Sequence, residues 1–71
     1  MNIQELESRC GVTKQNIRFY ERKGLLHPDR NLANNYREYN MEDVERLQFI
    51  KMMRKLDVSI EDIREVLEGR F

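Results

Sequence analysis

The sequence predicts a mainly α domain of about four helices with one small β-hairpin. Three observations predict it. A local pattern recurs four times: an apolar residue, a capping residue, two further residues, then Glu, Asn or Asp followed by an apolar residue. The stretch from Leu26 to Tyr39 lacks that pattern and holds turn-forming residues instead. Val44, Leu47 and Ile50, with Met53 nearby and Leu56 beyond, recur at helical spacing and mark one long amphipathic helix. At 71 residues the chain makes one small domain. A chain of that size buries only about 60% of its unfolded surface, so good caps and a closed core matter to its stability.

The first helix is predicted over 3–10, opened by Met1-Asn2 and Glu5-Leu6. An Asn at the cap accepts from a first-turn amide that has no partner within the helix. The second helix is predicted over 14–23. Thr13 caps it, Val12 and Ile17 stand at the two positions of a hydrophobic staple, and Gly24 can take the left-handed conformation that ends it. Between Leu26 and Tyr39, Pro28 breaks any helix and Asn34-Asn35 is a turn signal, because Asn tolerates positive φ. Tyr36, Arg37 and Tyr39 then suit a short strand, which completes a hairpin. Tyr39 is also in staple position to Val44 and is assigned to the core. The third helix is predicted over 41–56 and the fourth over 60–68, capped by Asn40 and Ser59. Ile60, Ile63, Val66 and Leu67 on the fourth helix are expected to close the core, leaving little apolar surface for a large obligate interface.

The second helix carries the chemistry. Ile17 and Tyr20 can face inward, while Lys14, Gln15, Arg18, Phe19 and Arg22 lie three or four apart on the other side. That outer side mixes amide, basic and aromatic groups and has no acid of its own. Amides and guanidinium groups pair with base edges, and cations with phosphates. A short helix presenting such a face after a tight glycine turn reads as the second helix of a helix-turn-helix, and a basic-aromatic hairpin directly after it reads as a wing.

Net charge is zero, with thirteen basic and thirteen acidic residues, so its distribution decides. Residues 13–40 carry six bases and three acids; residues 41–71 carry six bases and eight acids. The basic excess therefore coincides with the candidate recognition helix and the loop after it. Lys51, Arg54 and Lys55 form a later basic side on the third helix.

Other chemistries find no residues to carry them. No Gly-rich phosphate loop, Cys/His cluster, or His and carboxylate pair at catalytic spacing is present, so no enzyme, metal or cofactor is expected. One cysteine, Cys10, excludes an internal disulfide and reads as a small buried apolar residue. His27, beside Pro28, reads as a turn or surface residue. No run approaches the ~20 apolar residues of a membrane helix, and no signal-peptide pattern opens the chain, so a cytoplasmic setting is expected.

Three blocks carry a family resemblance. Cys-Gly-Val-Thr-Lys-Gln-Asn-Ile-Arg-Phe-Tyr-Glu-Arg-Lys-Gly-Leu-Leu at 10–26, Asn-Tyr-Arg-Glu-Tyr at 35–39 and Leu-Gln-Phe-Ile-Lys at 47–51 resemble the MerR family of bacterial transcription regulators, over nearly the whole chain. The resemblance implies a winged helix-turn-helix that binds double-stranded DNA. The positions it implies are Thr13, Lys14, Gln15, Arg18 and Phe19 in the recognition helix, and Tyr36 and Arg37 in the wing. It implies a homodimer on a pseudo-palindromic promoter operator, acting on RNA polymerase indirectly by bending and untwisting DNA. Three positions depart from the family pattern: Phe19 stands for a frequent tyrosine, Asn35 for a glycine, and Asp57 for the glycine between the third and fourth helices. The family's dimerisation helix and effector region do not fall within residues 1–71. The alternatives are a stand-alone architectural or excisionase-like DNA-binding protein, and a helical protein-interaction module whose basic face meets an acidic partner.

Overall fold

The computed structural model describes residues 1–30 and 37–69. Their order is α1 (Ile3–Cys10), α2 (Lys14–Arg22), β1 (Asp29–Arg30), β2 (Arg37–Glu38), α3 (Met41–Lys55) and α4 (Ile60–Leu67). The four expected helices are present, and three of them end one residue early. The two short strands pair antiparallel, with Asp29 opposite Glu38 and Arg30 opposite Arg37. Tyr36 and the turn expected at Asn34-Asn35 lie outside the described residues.

All four helix starts use the caps that the sequence specifies. Asn2, Thr13, Asn40 and Ser59 each accept the amide three residues on, at 2.9, 3.2, 3.1 and 3.1 Å. At α1 and α3 the acid in that third position returns the bond to the cap's own amide, which completes a capping box. The helix ends are just as specific. Gly11 (φ 66°) ends α1, and its amide donates to the Glu7 carbonyl at 2.9 Å. After α2, the Leu25 amide reaches the Tyr20 carbonyl and the Gly24 amide reaches that of Glu21. Gly24 sits at φ 79° between them, the paired arrangement of a Schellman end. Asp57 (φ 60°) fills the same role after α3, with Val58 bonded to Met53 and Asp57 to Arg54. It is the only non-glycine residue at positive φ among the described residues.

These ends aim the chain into one core. Leu6, Ile17, Leu25, Leu26, Leu47, Ile50 and Ile63 are fully buried, drawn from all four helices and from the loop after α2. The pair after Gly24 was not singled out in the sequence; the Schellman turn is what drops Leu25 and Leu26 inward. Burial of such side chains is the main favourable term, about 1.5–3 kcal/mol each. Tyr39 is buried, as expected from its staple position, and its hydroxyl donates to the Glu21 carboxylate. Met1 and Tyr39 exchange two main-chain bonds, of 2.7 and 2.9 Å.

Two apolar expectations are corrected. Leu56 is 66% exposed, because α3 stops at Lys55 and the chain turns at Leu56 and Asp57 before the stripe completes another turn. Val66 is 42% exposed, since only Ile63 of α4 is fully buried and Ile60 and Leu67 are half-buried at its edge. Met41 and Met52 are also exposed, so α3 keeps an apolar outer side that the sequence reading had not foreseen.

Candidate nucleic-acid interface

The candidate face is built by α2, and α2 is fixed from three directions. From below, Ile17 and Tyr20 are buried and anchor it in the core, with Val12 buried just before its cap. At its end, the Gly24 turn and the Tyr39 hydroxyl on Glu21 hold the last turn. At its start, the Thr13 hydroxyl takes the Asn16 amide, and the Glu7 carboxylate of α1 takes the Lys14 amide at 2.8 Å. The N-terminal end of a helix carries partial positive charge, so a carboxylate there is favourable.

What remains outside is the polar side. Thr13, Gln15, Arg18 and Arg22 are exposed, and Lys14 and Phe19 are half-buried. The structure thus brings six of the eight sequence-selected residues onto one helix and its cap. Of the other two, Arg37 lies on β2 opposite Arg30, and Tyr36 is outside the described residues.

Phe19 organises the late part of the face. Its ring meets Tyr20 edge-on at 5.8 Å, the Arg22 guanidinium lies 6.0 Å from its centroid, and the Lys23 ammonium 5.6 Å. Contacts of this geometry draw cations toward the ring's negative face. Lys23 entered the sequence reading only as part of the basic excess. Its position four residues after Phe19, on the same side of a helix, was the signal that could have picked it out. Glu7 was missed altogether: it lies seven residues before Lys14, across the turn, where no local spacing rule applies.

The basic residues of α3 prove partly structural. The Lys51 ammonium donates to the Cys10 carbonyl at 3.1 Å, so a cation caps the C-terminal end of α1. Arg54 donates to the Val58 carbonyl at 2.8 Å and braces the turn into α4. Arg46 reaches the Leu25 carbonyl at 3.1 Å. Cys10 is buried; burial pushes its thiol pKa up, against the opposing pull of Lys51 and Arg9. His27 is exposed. No cluster of three metal-ligating side chains, and no helix long and apolar enough to cross a membrane, occurs among the described residues.

Two helices joined by a tight turn, with the second buried on one side and amide, basic and acid-free on the other, define a helix-turn-helix DNA-binding domain. Comparison with known proteins gives the family. The description "MerR HTH family regulatory protein" matches residues 1–70. A mercuric resistance operon regulatory protein of Bacillus cereus is 42% identical over 65 residues, 92% of this chain and 49% of the relative. A ZntR homolog of Haemophilus influenzae, an HTH-type transcriptional regulator, is 40% identical over 67 residues, 94% of this chain and 50% of the relative. The crystal structure of the transcription regulator PbrR691 from Ralstonia metallidurans CH34, in complex with lead(II), superposes with a TM-score of 0.89 at 36% identity, covering 99% of this chain and 55% of that one. The chain belongs to the MerR family of helix-turn-helix transcriptional regulators. It spans about half the length of the relatives it matches.

Proposed function

We propose that residues 1–71 form the DNA-reading unit of a dimeric, cytoplasmic transcription regulator, and that this unit is not an enzyme. In this reading α2 enters the major groove of a promoter operator. Gln15 is suited to the edge of adenine, and Arg18 to guanine or to a phosphate. Thr13, Lys14, Arg22 and Lys23 meet the backbone beside them, and Phe19 packs against the sugar-phosphate edge. The β1–β2 segment acts as a wing, with Tyr36 and Arg37 on the backbone near the minor groove. Two such units, one helical turn or a multiple of it apart, would read a pseudo-palindrome, and distortion of the DNA between them would act on RNA polymerase indirectly.

The observation that carries this reading is the exposed, acid-free side of α2, presented by a helix whose other side is fixed in the core. The test is titration of duplex DNA by wild type, Gln15→Ala and Arg18→Ala. Arg18→Ala is expected to weaken binding to all sequences, and Gln15→Ala to relax preference at particular base pairs, by about 1–3 kcal/mol each. Unchanged affinity and preference in both variants would sink the assignment.

A further inference from the structure

Glu7 is placed to control how α2 is presented. Its main-chain carbonyl accepts the Gly11 amide at 2.9 Å, and its side chain accepts the Lys14 amide at 2.8 Å. One residue thus holds the last turn of α1 and the first turn of α2, bracketing the three-residue turn between them. The other three helices carry acids in their own first turns: Glu5 in α1, Glu42 and Asp43 in α3, Glu61 and Asp62 in α4. α2 carries none. An acid at Lys14, Gln15 or Asn16 would satisfy the helix start but lie against the approaching phosphates. A carboxylate supplied by α1 satisfies the same start from a half-buried position, already bonded to the Lys14 amide.

We propose that Glu7 is a positioning residue for DNA recognition: by capping α2 from α1, it sets the angle of the recognition helix and so the preference for a specific sequence over non-specific DNA. The inference rests on the reading of α2 as the DNA-contacting helix. Non-specific binding depends on the number of cations near the phosphates and tolerates a loosened helix, whereas base contacts do not.

The experiment compares wild type, Glu7→Gln and Glu7→Ala at a temperature where circular dichroism shows each folded. Affinity is measured for the duplex that wild type selects from a random library and for a scrambled duplex. Exchange of the Lys14 amide is followed by NMR without DNA. Glu7→Ala is expected to lose Lys14 protection and to reduce the specific-to-scrambled ratio roughly tenfold, the order of one lost charged hydrogen bond. Glu7→Gln, whose amide oxygen still accepts, should keep the protection and stay within about twofold of the wild-type ratio. An unchanged ratio in Glu7→Ala, a parallel fall in both affinities, or a Gln variant as impaired as Ala overturns the proposal. An unprotected Lys14 amide in wild type removes the cap and overturns the proposal, whereas a wild type that selects no sequence overturns the reading of α2 instead.

Discussion

At the residue scale, Asp57 holds backbone strain at a position where the family resemblance implies glycine. Asp57 closes α3 at φ 60°, a conformation in which Cβ crowds the following carbonyl. The sequence made this legible, because a short polar residue that tolerates positive φ stands two residues before the Ser59 cap, where the resemblance implies glycine. Asp57→Gly should therefore stabilise the fold by about 1 kcal/mol, read as a higher denaturant midpoint at unchanged slope. An equal or lower midpoint would mean that the carboxylate repays its strain locally. Glu7 shows the opposite case. Its carboxylate meets the Lys14 amide only once α1 has folded back on α2, so no window of sequence could disclose it. Lys51 on the Cys10 carbonyl is hidden for the same reason, the partners lying forty-one positions apart.

At the element scale, helix starts were the most legible feature. Asn2, Thr13, Asn40 and Ser59 act through bonds three residues long, and bonds that local are written in the sequence. The outer face of α2 was legible too, since its two buried residues and its exposed ones follow from helical spacing alone. Where α3 stops was not, because that depends on the turn through Leu56 and Asp57 rather than on periodicity, and Leu56 left the core as a result. The β1–β2 pair, proposed as a wing, has the least local support of the elements, since its strands are two residues each. If Arg37 holds a phosphate, Arg37→Ala should lower DNA affinity and flatten the plot of log K against log salt by nearly one unit. A slope equal to wild type would remove Arg37 from the interface.

At the scale of the whole molecule, a neutral chain separates its charge: residues 13–40, around α2 and the loop after it, carry a basic excess, and residues 41–71 an acidic one that falls on α4 and the segments beside it. The exposed apolar residues Met41, Met52, Leu56 and Val66 are more than the sequence led us to expect, yet four partly exposed side chains fall well short of an obligate interface of more than ~2,000 Å². Residues 1–71 should sediment as a monomer or a weak associate at micromolar concentration, and a tight dimer would place a dimer interface within this domain. The outer side of α2 is proposed to read base sequence. Selection from a random duplex library, run in parallel with wild type and Gln15→Ala, tests it most directly. Wild type should enrich one sequence, from which the variant loses preference at particular base pairs while the rest persists. No enrichment by wild type, or the same sequence enriched by both proteins, would contradict it.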